Sequence, residues 1–293
     1  MPDLWTHIIG GDKILQGLDR EWQETVNAYQ SYFHLGCQGP DFFFYNDFWP
    51  WIRDKKGPKA GVKIQLERID QLFLVASQYF KDLKASADFP LFTAYFTGFL
   101  AHYVLDKHIH PLIRRKDRGK PILHKKLEIL IDCYFFNKEW GKEAYQFSPV
   151  EAIDCSSVLP QVIIDYYITI LSKVHDYPAN IDFINQSYRN MKKILGIFYC
   201  PHIYKRIGFS LLNCLIPVDI TALIYPRRPD YNSLSGQEWQ EVNLLFAQAV
   251  QEGIELIKGV QQYLNNSFTK DQLTVLFPNI SFEGIVGKPG VCS

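Results

Sequence analysis

Apolar residues recur at helical spacing along nearly the whole chain, and the apolar–polar alternation of strands is scarce. Leu66 to Leu83 shows the rhythm most plainly, with Ile69, Leu72, Phe73 and Ala76 on one face. The same reading predicts a first helix through Ile14 and Leu18, capped by Thr6 or Asp3, and a second from Trp22 to Phe33. Pro90 sits in the first turn of a helix that carries Phe92, Tyr95, Phe96, Phe99 and His102 toward Asp106. Pro121 starts another through His124, Glu128 and Asp132, and further helices are expected near 158–175, 182–196, 203–215 and 236–265. Gly36-Cys37-Gln38-Gly39-Pro40 breaks the chain just before Asp41, and Arg53–Lys63 and Arg114–Lys120 read as basic loops. The expectation is a single all-α domain over residues 1–293, a helical bundle whose C-terminal part spans 148–293.

Composition narrows what such a bundle does. Of 293 residues, 47% are apolar and 15% aromatic, enough for a large core. Thirty-one basic residues balance thirty-one acidic ones, so no global charge draws the chain to nucleic acid. The six cysteines are far apart with no CxxC pair, which argues against a zinc ribbon and against a disulfide framework. Met1-Pro2-Asp3-Leu4-Trp5 shows neither the basic nor the apolar part of a secretory signal. The longest apolar stretch, Ile207 to Ile224, is interrupted by Asn213, Pro217 and Asp219 and reads as a buried helix followed by a break. A cytoplasmic protein with reduced thiols is expected.

The chemistry lies in the histidines. Six of the eight, His7, His34, His102, His108, His110 and His124, fall in the first 124 residues. His102 and Asp106 are four apart, so a helix stacks imidazole and carboxylate on one face, and His124 with Glu128 repeats the spacing. Either pair alone is most often a solvated helix pair. Two pairs, flanked by His110-Pro111 and set among apolar residues, make a workable scaffold for zinc, which prefers imidazole nitrogen and carboxylate oxygen.

Thr6-His7, Gly39-Pro40-Asp41, His102-x3-Asp106, His110 and His124-x3-Glu128 occur in the order seen in zinc-dependent phospholipases C, and the chain resembles that family. The likeness is nearest to a bacterial branch and spans residues 6–132; Asp230-Tyr231-Asn232 with Trp239, and Pro278 to Gly284, are weaker features of it. The resemblance implies a fold shared with single-strand-specific nucleases and a site of one to three zinc ions. It implies that Asp41, His102 and Asp106 hold one zinc, and that His110, His124 and Glu128 hold another. His7 would help to hold a third near Asp106, and Asp41 is the favoured general base in attack of water on a phosphodiester. The implied partner is a phospholipid or other phosphodiester, with transient contact to a membrane surface and no specific nucleic acid.

The chain departs from the family pattern at Gln65, which stands where a further histidine ligand is expected. That departure favours an alternative reading, a non-catalytic member that binds one zinc or none. A nuclease-like phosphodiesterase is the other alternative. Outside the donor set, Asp132 is a candidate hydrogen-bond partner for a ligand histidine, against a solvated carboxylate. The aromatic run from Phe42 to Trp51 reads as core packing, with a pocket for a choline-like head group as the alternative. Arg114, Arg115, Lys116, Arg118 and Lys120 read as a solvated stretch, with phosphate or anionic lipid as the alternative partner. His108 is expected to point away from the site, and His34, His175 and His202 to be structural.

Overall fold

The computed structural model describes residues 4–214 and 219–287. Among these there are thirteen α-helices and no strand, only an isolated bridge between Ile280 and Val286. The helices are α1 (Leu4–Gln16), α2 (Arg20–Ala28), α3 (Gln30–Gly36), α4 (Lys56–Leu66), α5 (Ile69–Asp82), α6 (Phe89–Asp117) and α7 (Pro121–Trp140). They continue with α8 (Pro149–Ile153), α9 (Gln161–His175), α10 (Ile181–Phe198), α11 (Ile203–Asn213), α12 (Gly236–Leu264) and α13 (Lys270–Leu276). A 3-10 turn, Asp41–Tyr45, follows α3. The all-α expectation holds, and α9 to α12 fall close to their predicted spans. Asp3, one of the two proposed caps of α1, lies outside the described residues; Thr6 lies inside the helix and does not cap it.

The 29-residue helix α6 is the axis of the fold, buried from Phe92 to Ile113 along most of its length and packed by α1, α2, α3, α7 and α12. Its crossing with α3 is a backbone contact. A methyl group on Gly36 would come within 2.1 Å of the Tyr95 carbonyl oxygen, and one on Gly98 within 2.2 Å of the Phe33 carbonyl oxygen. Only glycine permits this approach, and it delivers the Cys37–Asp41 segment to the middle of α6.

Three sequence expectations are corrected. Arg53–Lys63 is not a loop throughout, because α4 begins at Lys56. The two glycines read as breakers, Gly57 and Gly61, lie with Ala60 on its buried face, and α4 packs on the 3-10 turn. Arg114–Lys120 is not a free basic loop either. Helix α6 runs through Pro111 to Asp117, and its last turn is held by the ion pairs Arg114–Glu283, Arg115–Glu241 and Lys116–Glu238. The segment from Ile207 is helical but not buried: α11 has no buried residue. Leu215, Ile216, Pro217 and Val218 of that stretch lie outside the described residues. Apolar character reports what a helix would bury, and only packing decides whether it does. No described helix is long and apolar enough to cross a membrane, and none of the five described cysteines is in a disulfide. Cys292, the sixth, lies outside the described residues.

Candidate metal centre

Four segments bring the seven predicted donors together. Helix α6 presents His102, Asp106 and His110 at successive four-residue steps, α7 presents His124 and Glu128, α1 carries His7, and Asp41 opens the 3-10 turn. Six of them form two groups of three, within each of which the donor atoms all lie within 4.8 Å of one another: His7, His102 and Asp106, and His110, His124 and Glu128.

The first group is sealed in the core. The Asp106 carboxylate lies 3.3 Å from His7 Nε2 through one oxygen and 3.3 Å from His102 Nε2 through the other. The two imidazoles face each other with centroids 4.3 Å apart. His102 Nδ1 sits 3.1 Å from the Cys37 carbonyl oxygen, a contact that places the proton on Nδ1 and aims the Nε2 lone pair into the group. Gly39, with φ of 50°, lets the chain pass against this ring, since a Cβ there would lie 2.2 Å from His102 Cδ2. Asp41 Oδ1 lies 3.8 Å from His102 Nε2, so Asp41 borders the group. Burial, reinforced by His102, pushes His7 down to about 4 and keeps it neutral. Burial alone would raise the Asp106 carboxyl, yet the charge of His102 and the contacts of both imidazoles hold it well below the usual range. Asp41 is pushed up to about 7 by burial, with Asp106 and Glu128 adding to it and His102 opposing.

The second group stands at the wall of a cavity. His124 Nε2 is 2.8 Å from Glu128 Oε1 and 3.3 Å from His110 Nε2. The other ring nitrogen, Nδ1, meets Asp117 Oδ2 at 2.5 Å, and Asp117 is itself fixed by the Gly119 N–H at 2.6 Å. Burial, with His124 adding, pushes His110 down to about 3. For Glu128 burial is outweighed by Lys125 and His124, and its carboxyl lies below the usual range. The cavity, of about 320 Å³, is bordered by Asp41, His124 and Glu128 on one side. Phe44, Phe48, Ile194, Phe198 and Leu223 are among its apolar walls.

The comparisons with known proteins bear on these residues. The model of the family described as zinc-dependent phospholipase C matches residues 6–193, which include all seven donors. The chain belongs to the zinc-dependent phospholipase C family. No curated protein and no solved structure matches it.

Whether the residues suit a metal is decided by the donor set. His102 Nε2 and both oxygens of Asp106 are buried without a hydrogen-bond partner among the described residues. Leaving such atoms unpaired is expensive, and a divalent cation between them would satisfy all three. His7 and His110, held neutral by burial, beside Asp106 and Glu128, held ionised, are in the protonation states that zinc requires.

Several neighbours of the donors have no helical or pairwise signal in the sequence. Asp117 is seven residues before His124 across a helix break, so no periodicity links them. Tyr167 of α9 donates from its hydroxyl to the Gly39 carbonyl at 2.9 Å and thereby holds the turn that carries Asp41. Gln65, in place of the histidine usual for zinc-dependent phospholipases C, donates from Nε2 to Asp41 Oδ1 at 2.7 Å. Asp132, the candidate partner of a ligand histidine, instead accepts from the Trp5 and Thr6 backbone N–H groups, the Thr6 hydroxyl and the Tyr225 hydroxyl. It thus clamps the start of the helix that bears His7. His108 turns to Glu252 on α12, at 2.6 Å, as its position beside His110 suggested it would turn away. The aromatic run divides: Phe42 and Phe43 are core, while Phe44, Tyr45 and Phe48 line the cavity. Trp239 and Tyr231 join α12 to Tyr134 of α7, and the Pro278–Gly284 segment reaches the site through Phe282, whose N–H bonds the Gln65 carbonyl.

Proposed function

We propose that the chain hydrolyses the phosphodiester of a phospholipid-type substrate, with zinc held by His7, Asp41, His102, Asp106, His110, His124 and Glu128, and with Asp41 as general base. The observation that carries this reading is the cavity, which is lined both by Asp41, His124 and Glu128 and by Phe44, Phe48 and Phe198. A phosphoryl group beside the donors and a greasy moiety against the walls would both be accommodated, whereas a nucleic acid would meet an apolar lining. Zinc bound there would lower the pKa of water and offset charge on the phosphoryl oxygens. The chain supplies the rest. Gln65 binds one oxygen of Asp41 and leaves the other to take the proton of the attacking water. Asp117 fixes the His124 ring so that Nε2 faces the site. The apolar walls keep bulk water from the reacting phosphorus.

One observation favours a second reading, a zinc-binding member without turnover: Gln65 brings an amide where the family pattern brings an imidazole. Both are tested on protein reloaded with zinc, by counting zinc per chain and assaying release of the phosphorylated head group from phospholipid. Asp41→Asn is expected to lower kcat by about 100- to 10,000-fold, with the fold intact by circular dichroism. Unchanged turnover in Asp41→Asn would remove the base from the mechanism, and a zinc-loaded wild type with no turnover would establish the second reading.

A further inference from the structure

Helix α11 is built inside out. Its charged residues point into the molecule: Lys205 Nζ donates to the carbonyls of Gly196 and Tyr199, and Arg206 donates to the carbonyl of Tyr225. Apart from Phe209, its large apolar residues point outward, with Ile203 56%, Tyr204 71%, Ile207 53% and Leu211 65% exposed. Ile203, Ile207 and Leu211 are four apart, so they form one continuous stripe along the helix. A surface helix normally shows the opposite arrangement, and an exposed apolar stripe pinned in place by inward cations marks a binding face.

The helix that bears the stripe packs on a residue of the cavity wall. Phe209, on the inner side of α11, packs on Phe198 with centroids 5.4 Å apart, and Phe198 lines the cavity. From Phe198 a chain of rings leads outward across the rim: Phe48 at 6.2 Å, then Trp49 at 5.4 Å, then Trp51 stacked on Trp49 at 5.1 Å. Trp51 is 71% exposed. Two outward apolar features, α11 and Trp51, are therefore joined through Phe198 and Phe48, which line the cavity.

Charge indicates what covers them. Although the whole chain is neutral, residues 182–230 carry seven basic side chains, Arg189, Lys192, Lys193, Lys205, Arg206, Arg227 and Arg228, against Asp182, Asp219 and Asp230, and Lys192 is paired with Asp154. Asp219 is paired with Lys126, and Arg189, Lys193, Arg227 and Arg228 are exposed. Exposed apolar and aromatic side chains in a region with an excess of exposed cations suit an anionic lipid interface, where the former enter the acyl boundary and the latter meet head groups.

We infer that the α11 stripe and Trp51 form the face by which the protein lies on an anionic phospholipid surface, with the cavity mouth turned to the lipid. The inference rests on the phospholipid reading above and deepens it by naming how the substrate is reached.

Sedimentation with vesicles tests it, comparing phosphatidylcholine alone with vesicles containing about one-third phosphatidylglycerol. The zinc-loaded wild type is expected to bind the anionic vesicles more tightly, and Ile207→Glu/Leu211→Glu to weaken that binding by about tenfold or more. Trp51→Glu, on a separate segment, is expected to weaken it in the same direction, so the test does not depend on one variant folding. Turnover of a short-chain phospholipid below its micellar concentration should be unchanged in these variants. His124→Ala should still bind vesicles, so loss of catalysis and loss of docking are read separately. Equal binding by wild type and variants, or no binding by the wild type, overturns the inference. So does concentration-dependent dimerisation that the same substitutions abolish, since the face would then belong to a second copy of the chain.

Discussion

His7, His102 and Asp106 are at most 1% exposed, enclosed by α1 and α6, whereas His124 is 16% exposed on the wall of a cavity and is backed by Asp117. Both groups draw on imidazole and carboxylate, yet they stand in different media. In the sealed group, polar atoms have only one another or a bound cation to compensate them, so an ion there is tied to the stability of the fold. In the open group, water can reach His124, and a substrate can as well. Donor chemistry is the same in both, and burial assigns them different work.

Asp106→Ala breaks the contrast most severely. It removes the carboxylate that lies 3.3 Å from both His7 Nε2 and His102 Nε2 and leaves two imidazoles in the core without their acidic partner. Metal-free protein is expected to lose about 3–5 kcal/mol in denaturant unfolding. Glu128→Ala should lose less than half as much, because Lys125 and His124 can turn to solvent. Equal losses would mean that the two groups do not differ in dielectric surroundings.

A middle-sized effect is expected from Asp117→Asn, which removes the carboxylate that orients His124. Zinc affinity measured by calorimetric titration should fall by about 10- to 100-fold, while unfolding free energy changes by less than about 1 kcal/mol. An unaltered affinity would reduce the Asp117–His124 contact to an ordinary ion pair.

Gln65→His should have the smallest effect and sharpens the comparison from the other side. Gln65 already reaches Asp41, so an imidazole there adds a donor beside the sealed group, and zinc retained after dialysis should rise by at most about one ion per chain. Gln65→Ala should leave retention unchanged. A gain in both variants would show that the amide obstructs the ion and that the missing imidazole is not the cause.

Much of this site was legible because helix geometry is a local rule. His102 with Asp106 and His124 with Glu128 share faces by their spacing alone, and the Gly39-Pro40 break ahead of Asp41 is a backbone signal. The approach of His7 to Asp106 was legible only through the family resemblance, and the contacts of Tyr167 with Gly39 and of Asp132 with the backbone of Trp5 and Thr6, which cross the chain, were not legible. Asp132 shows why. A buried carboxylate one turn beyond Glu128 must find donors, but whether they are an imidazole or the open N-terminus of another helix depends on which helix packs there.

The sequence by itself determined that the chain is helical, which residues can ligate zinc and in which pairs they share a face, because periodicity and donor type are properties of neighbours along the backbone. The tertiary structure alone decided that six of the candidate donors divide into a sealed and an open group with Asp41 beside them, that Gln65 serves Asp41, and that α11 turns a stripe of apolar residues outward. Burial and hydrogen-bond partnership are set by distance through space, and segments far apart in sequence supply both.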